Sequence, residues 1–342
     1  MTDAGASDLH CKPGSPPALR IGGQLRSLDR DDLDVEDVAH FAQAMLDKDQ
    51  QTELISTGSV VGAHSVAGLG RYRFAAFRQR GSVALVLHAV PDEIRSLDDL
   101  ELPGAASALA SADKGLVLVA SPVGNGATTT LNALIDHCNT TRACHVVTVE
   151  DPIEVLHRDA LGVVSQLEVG SDVRTIADGV RSASRIDADV VAISEIASHE
   201  TAMAAVDAVA RGRLVLAGIG GHSVVAAIHT FLELFTVDER DIMRAAFARS
   251  FAGVLAQRLL PRVDGELMAV VEAMIHTTKI EHCLTEPGRE RELLTLMADG
   301  DYHGMQSMDQ ALARHVRAGT IEADTALAVA FDAEELRIEL LR

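Results

Sequence analysis

One short stretch restricts the fold of this chain more than any other. An apolar run at 115–120 leads into a glycine-bearing loop, and a helical pattern starts near Thr128. A strand, such a loop and a helix N-terminus in succession bring several backbone N–H groups towards one point, which is how proteins bind phosphate. Gly124 and Gly126 can adopt the positive φ angles that the loop needs. The stretch therefore predicts an α/β sheet with a candidate phosphate loop at its edge.

The loop matches the phosphate-binding pattern G-x-x-x-x-G-K-[S/T] at only some positions. Thr128 stands where the hydroxyl of that pattern reaches Mg²⁺. Ser121 replaces the first glycine, and Ala127 replaces the lysine. A tight turn followed by a threonine-capped helix fits these residues equally well, so the loop alone leaves both interpretations open.

The remainder of the chain from 114 onwards supports a parallel sheet. Short apolar runs alternate with helical stretches, which is typical of a sheet covered by helices on both faces; the runs are 115–120, 145–149, 189–194 and 214–219. From 239 to the end the pattern is mostly helical, with one strand expected at 267–274.

The first hundred residues predict a separate, smaller α+β domain. A hairpin is expected at 18–28, a helical segment at 34–55, and two strands at 71–77 and 82–90. The predicted organisation is therefore a domain at 1–100, a linker with a short helix at 101–113, and a second domain at 114–342.

Composition excludes several classes of function. Thirty basic residues against fifty acidic ones give a net charge of −20, which disfavours nucleic acid as a partner. The apolar runs have strand length rather than membrane-span length, and the N-terminus lacks the segments of a signal peptide. The four cysteines show no metal-ligand spacing, so reduced thiols in a cytoplasmic protein are expected.

Several ordered motifs resemble one family over nearly the whole chain. The stretch 148–154 (TVEDPIE) resembles the acidic box of the pilus-retraction, or twitching-motility, ATPases, which are relatives of the type II and type IV secretion ATPases. The stretch 181–189 resembles the helix that leads into the Walker B strand of that family, which ends here at Glu195. Further matches lie at 5–10, 257–260 and 304–309.

The resemblance implies a fold and a set of site residues. The fold is α/β, with an N-terminal PAS-like α+β domain followed by a RecA-like P-loop NTPase domain with a helical C-terminal part. The implied cofactors are ATP and Mg²⁺, with Thr128 and Glu195 at the metal and with Glu150 and Glu195 as catalytic residues. Arg71 and Arg73 would reach the nucleotide of a neighbour in a hexameric ring. The implied nucleotide contacts come from Gly124, Asn125, Gly126, Ala127, Thr128 and Thr129.

Departures from the family pattern fall on catalytic features. Ala127 removes the lysine that would neutralise phosphate charge. Gly220 stands at the first residue of the histidine box, and His222 follows two positions later. The arginine of a C-terminal motif tied to retraction is Glu281. If no nucleotide binds, the two catalytic glutamates are ordinary solvated charges at strand ends; Arg185, Arg213 and a neighbour's Arg71 are the alternative sources of a cation.

These features favour a cytoplasmic ring subunit that hydrolyses ATP weakly or not at all. It would act as an accessory or regulatory member of a type IV pilus machine, as a homo- or hetero-hexamer with paralogues. It would be peripheral at the inner membrane through a pilus platform protein. Two alternatives stay open: an active retraction motor that uses a non-standard cation, and a structural or partner-binding protein without nucleotide.

Overall fold

The computed structural model describes residues 1, 4–66 and 68–341, with the backbone alone at 290 and 291. The chain divides into two compact units, Met1–Glu93 and Ile94–Arg342. Among the described helices, none has both the length and the apolar composition that crossing a membrane requires.

The first unit is an antiparallel sheet with two helices on one face. In the described residues the sheet has six strands in the order β3-β2-β1-β6-β5-β4. The strands are β1 (Asp8–Cys11), β2 (Ala18–Ile21), β3 (Gln24–Ser27), β4 (Ser59–Val66), β5 (Gly70–Gln79) and β6 (Ser82–Ala89), and the helices are α1 (Val35–Met45) and α2 (Lys48–Thr57).

Most of the predicted elements in this unit form, with one helix divided in two. The hairpin at 18–28 is confirmed, and both glycines of its turn, Gly22 and Gly23, have positive φ. The helical segment expected at 34–55 breaks at Asp47, whose side chain accepts a hydrogen bond from the Gln50 N–H and so starts a new helix. β1 and β4 were not predicted from the sequence: β1 lies between β2 and β6 and joins the hairpin to the other strands, and β4 forms the edge next to β5.

The second unit is built on a mostly parallel sheet. Within the described part of the chain its seven strands have the order β13-β12-β7-β11-β10-β8-β9, and only the edge strand β13 runs antiparallel to its neighbour. The strands are β7 (Gly115–Ser121), β8 (His145–Glu150), β9 (Val163–Glu168), β10 (Val190–Ile193), β11 (Leu214–Gly220), β12 (Phe251–Pro261) and β13 (Leu267–Ile275).

Helices cover both faces of this sheet. Alternate residues of β7 enter different cores: Leu116 and Leu118 pack on one face, and Val117 and Val119 pack on the other. The helices are α3 (Gly104–Ala110), α4 (Ala127–Thr141), α5 (Ile176–Ala183), α6 (His199–Ala210), α7 (Val224–Glu233), α8 (Val237–Ser250), α9 (Thr278–Thr285), α10 (Glu290–Ala298), α11 (Met308–Arg317), α12 (Ala323–Leu327) and α13 (Ala333–Leu340).

The strand order brings several strand ends to one edge. β7 lies between β11 and β12, although β8 follows it in sequence, so the chain crosses over two strands after leaving β7. In parallel sheets, the carboxyl edge at such a crossover is where ligands bind. The ends of β7, β8, β10 and β11 all lie at this edge.

The structure differs from the sequence-based prediction at two strands of this unit. β9 was not predicted, and β12 lies in a region predicted to be helical. The apolar stretch of β12 is compatible with either a strand or a helix, and it becomes a strand because β7 and β13 supply backbone partners on both sides. The segment 101–113, expected to be a linker with a short helix, contains the helix α3, whose Ala106 and Leu109 are buried in the second unit. The domain limits themselves stay a prediction.

A substitution at Gly218 tests how closely the ends of β10 and β11 are packed. A Cβ atom at Gly218 would lie 2.2 Å from the backbone oxygen of Ser194, whereas at Gly220 it would meet nothing within 4 Å. We expect Gly218→Ala to lower the free energy of unfolding by about 1–3 kcal/mol, because backbone must move to accommodate it. Urea unfolding measures the change, with Gly220→Ala as the matched control. Equal stability of the two variants would contradict this packing.

Candidate functional site

The loop that follows β7 has the backbone conformation of a phosphate nest. Gly124 and Gly126 have φ angles of 79° and 81°, in the left-handed region. Gly126 is the N-cap of α4 and contributes no side-chain hydrogen bond. The first N–H groups of α4 are therefore left without a side-chain cap, which is the arrangement that receives an anion. The alternative of a threonine-capped helix does not form, since Thr128 lies inside the first turn.

This loop is held by hydrogen bonds from β12, a strand that was not predicted from the sequence. Gln257 of β12 is 1% exposed, and its Nε2 donates to the Asn125 carbonyl oxygen at 2.7 Å. Its Oε1 accepts from the Thr130 hydroxyl at 2.6 Å. The backbone N–H of Leu259 donates to Asn125 Oδ1 at 3.0 Å. β12 thus fixes both the loop and the first turn of α4.

Beside the first turn of α4 lies a small cavity of about 40 Å³ that carries acidic groups and no basic group. Thr128 faces Glu150, Asp151 and Glu154 across it, with Ser194 at the end of β10. None of the described residues that line it is a lysine, arginine or histidine. Ala127, where the family has lysine, is half-buried and packs against the core under α4.

Glu150 is a buried, well-ordered carboxylate at the end of β8. Its residue is 7% exposed. Its Oε1 accepts from the Thr148 hydroxyl at 2.6 Å and from Gln166 Nε2 at 2.9 Å. Burial raises the pKa of this carboxyl, and the two hydrogen bonds oppose that rise. Such a group can accept or hold a proton near the cavity.

Glu195 occupies a different environment. Val149 and Ile193 are paired in register, so Glu150 and Ser194 are adjacent at the sheet edge and Glu195 follows one residue later. Glu195 is exposed, and it does not line the cavity that contains Thr128 and Glu150. The structure therefore brings Thr128 and Glu150 together and leaves Glu195 outside the cavity.

The histidine-box position lies directly beside the loop but has no side chain. Gly220 pairs in register with Ser121, the last residue of β7. His222, two positions later, is exposed and lines a separate groove with Arg258 and Glu272. His222 therefore does not replace the missing histidine in this structure.

The candidate replacement cations lie elsewhere. Arg213 precedes β11 and pairs with Asp187 at 3.4 Å, which places it at the amino edge of the sheet, opposite the loop. Arg185 is at the same edge and donates to Ser182 Oγ at 3.1 Å. Arg71 and Arg73 lie on β5 of the first unit, where Arg71 donates to Ser65 Oγ at 3.0 Å. Their role at a neighbour's nucleotide stays a prediction.

A substitution at Gln257 tests whether β12 holds the loop in place. We expect Gln257→Leu to lower the free energy of unfolding by about 1–3 kcal/mol, because the Asn125 carbonyl and Thr130 hydroxyl lose a buried partner. Amide hydrogen exchange over 122–130 should become faster. Thr130→Val removes one of the same bonds, so in the double variant the two losses should be less than additive. If the two stability losses were fully additive and amide hydrogen exchange over 122–130 were unchanged, β12 would not hold the loop.

The raised pKa of Glu150 predicts that the free energy of unfolding depends on pH. Its folded pKa is above the unfolded value of 4.5, so the folded state loses stability as pH rises through 4.5 towards the raised value. Glu150→Gln has no proton to lose, and its free energy of unfolding should therefore exceed that of the wild type increasingly over this range. Urea unfolding at several pH values measures this, with Glu53→Gln at an exposed position of α2 as control. A constant difference at all pH values would refute it.

Comparison with known proteins gives one consistent match. Residues 96–320 match the sequence profile of the type II/IV secretion system protein family. The type IV pilus retractation ATPase PilT of Pseudomonas aeruginosa is 29% identical over 94% of this chain and 93% of its own length. The type IV pilus ATPase PilU of the same organism is 31% identical over 99% of this chain and 88% of its own length.

Solved structures agree with the fold. The pilus retraction motor PilT with bound ADP superposes with a TM-score of 0.86 at 33% identity, covering 98% of this chain and 96% of that one. The ATPase DotB of Legionella pneumophila shares the fold with a TM-score of 0.82 at 22% identity, covering 96% of this chain and 92% of that one. The predicted fold class, an N-terminal domain followed by a RecA-like P-loop domain with added helices, is confirmed.

Proposed function

We propose a function for this chain from one premise: it belongs to the type II/IV secretion system protein family and, within it, to the pilus-retraction ATPases. We infer that it is a ring subunit of a type IV pilus machine that binds ATP weakly and hydrolyses it slowly or not at all. The observation that carries this proposal is the cavity beside Thr128, which has three carboxylates and no cation among its described lining residues.

The energetic cost of the missing lysine supports weak binding. A charge-assisted hydrogen bond contributes about 1.5–3 kcal/mol. Its loss corresponds to roughly ten- to a hundredfold weaker ATP binding. The transition state, where charge develops, should lose more. The carboxylates around Thr128 add repulsion towards the phosphates, in a chain of net charge −20.

The residues present still fit a bound nucleotide in part. The loop 124–129 offers backbone N–H groups, and the exposed Thr128 can offer its hydroxyl to Mg²⁺, whereas Glu195, the second candidate ligand, lies outside the cavity that Thr128 lines. No cluster of three or more acidic, histidine or cysteine ligands for a metal occurs in the described part of the chain. A magnesium ion would therefore arrive with the nucleotide phosphates rather than bind to the protein alone.

Partners and location follow from the family rather than from this site. We propose a homo- or hetero-hexameric ring with paralogues, at the cytoplasmic face of the inner membrane against a pilus platform protein. Nucleic acid is not a proposed partner, because the net charge of −20 repels it. The loss of the arginine at Glu281, a half-buried residue in the motif tied to retraction, favours an accessory or regulatory role over a motor role.

Two alternatives make different demands on the same site. An active motor needs a cation from outside the described cavity, such as Arg71 or Arg73 of a neighbouring subunit. A structural subunit without nucleotide needs the loop to be unable to bind phosphate, and the left-handed Gly124 and Gly126 argue against that.

Calorimetry with Mg-ATP at low ionic strength tests the proposal on the wild type and Ala127→Lys, with hydrolysis followed in parallel. We expect weak binding by the wild type and roughly ten- to a hundredfold tighter binding by Ala127→Lys. Wild-type turnover should be slow or undetectable, so Glu195→Gln has little turnover to remove.

Each other result selects an alternative. If the wild type hydrolysed ATP at an appreciable rate and Glu195→Gln abolished that activity, the proposal would be overturned in favour of an active motor. Absence of binding by both wild type and Ala127→Lys would favour a structural subunit.

A further inference from the structure

The segment between β8 and β9 is attached to α4 through His157. Its Nε2 lies 2.7 Å from Oδ1 of Asn132, a residue that is 4% exposed and lies one turn after Thr128. Nδ2 of Asn132 donates to the Thr128 carbonyl oxygen at 2.9 Å. The contact therefore connects this segment to the first turn of the helix that begins at the phosphate loop.

The hydrogen bonds assign one tautomer to His157. Because the Asn132 amide nitrogen donates to Thr128, its Oδ1 is the acceptor, and Nε2 of His157 must carry the proton. Nδ1 is buried and has no partner among the described residues, so a second proton there would be a buried donor without an acceptor. Burial lowers the pKa of this imidazole to about 4. His157 is therefore neutral at pH 7.

The same residue also connects to Glu150. The backbone N–H of His157 donates to Gln166 Oε1 at 2.9 Å. Nε2 of Gln166 donates both to Glu150 Oε1 and to the Val155 carbonyl oxygen, each at 2.9 Å. A continuous series of hydrogen bonds thus runs from Thr128 to Glu150.

We propose that His157 is a positioning residue, which as a neutral Nε2–H donor couples the position of Glu150 to the phosphate loop. It does not touch a ligand itself, and it acts through Asn132 on one side and Gln166 on the other. The inference rests on the proposed function in one respect: a ligand at the loop is what would use the coupling. A change at the first turn of α4 should then alter the surroundings of the Glu150 carboxyl.

A second attachment makes His157 testable without unfolding the segment. Asn139, further along α4, donates from Nδ2 to the Arg158 carbonyl oxygen at 2.8 Å and accepts from the Ala160 N–H at 3.2 Å. These bonds do not involve the imidazole, so the segment should stay folded when His157 is replaced.

The test uses three substitutions and one matched control. His157→Phe and Asn132→Ala each remove the bond, whereas His157→Gln keeps an N–H donor for Asn132 Oδ1. The control is His145→Phe at the amino end of β8, where another half-buried histidine has its Nε2 3.0 Å from Ser165 Oγ.

The first readout is NMR of the free protein. We expect the Nε2–H tautomer of His157 at pH 7. The titration midpoint of Glu150, followed by carboxyl ¹³C shifts, should fall towards its ordinary value in His157→Phe and Asn132→Ala, because water reaches the carboxyl. His157→Gln and His145→Phe should retain the wild-type midpoint. An Nδ1–H tautomer, or the same Glu150 titration in all four variants, would overturn the proposal.

The second readout adds Mg-ADP to Ala127→Lys. We expect the Glu150 carboxyl shift to respond to Mg-ADP in Ala127→Lys and not in Ala127→Lys combined with His157→Phe. A response in both would overturn the coupling. Absence of Mg-ADP binding by Ala127→Lys would count against the proposed nucleotide pocket, and the free-protein titration would still decide the role of His157.

Discussion

The pairing of β7 with β12 is the constraint on which the rest of the site depends. It places Gln257 directly under the loop, where one buried amide joins the Asn125 carbonyl to the Thr130 hydroxyl. The two bonds leave no polar atom of the amide side chain unsatisfied in a position that is 1% exposed. A buried amide that lacks one of its hydrogen-bond partners destabilises the fold. These two hydrogen bonds therefore hold the loop in the conformation that its glycines permit. The nest geometry is thus kept although the lysine is absent.

The charged groups at this site differ from those of the phosphate-binding pattern. The backbone still offers N–H groups at the start of α4, but the charged side chains among the described residues that line the cavity beside Thr128 are all acidic. A backbone nest contributes partial charges, whereas the lysine of the phosphate-binding pattern contributes a full charge. The loop therefore keeps the backbone conformation of a phosphate nest, while Ala127 contributes no positive charge to it.

The order of the strands explains why the acidic residues converge at all. Glu150 and Glu195 are 45 positions apart in sequence, by subtraction of their numbers, yet Glu150 ends β8 and Glu195 comes shortly after β10, and these neighbouring strands pair in parallel register. Their environments nevertheless differ. Glu150 is enclosed by Thr148 and Gln166, while Glu195 lies one residue further along the chain and is exposed. A family motif therefore indicated which residues reach the edge and not how each of them is solvated.

The sequence by itself determined the strand–loop–helix unit and the parallel arrangement of the second domain. It also showed that Ala127 occupies the position at which the phosphate-binding pattern has a lysine. These depend on local apolar periodicity and on glycine and alanine at particular positions, which act over a few residues. The tertiary structure alone decided that 251–261 is a strand, that Gly220 lies beside Ser121, and that His157 reaches Asn132. Each of these depends on a partner distant in the chain, and an apolar run or a single histidine carries no local signal of which partner it will find. The physical reason is that backbone pairing and burial are satisfied only when the whole sheet is assembled.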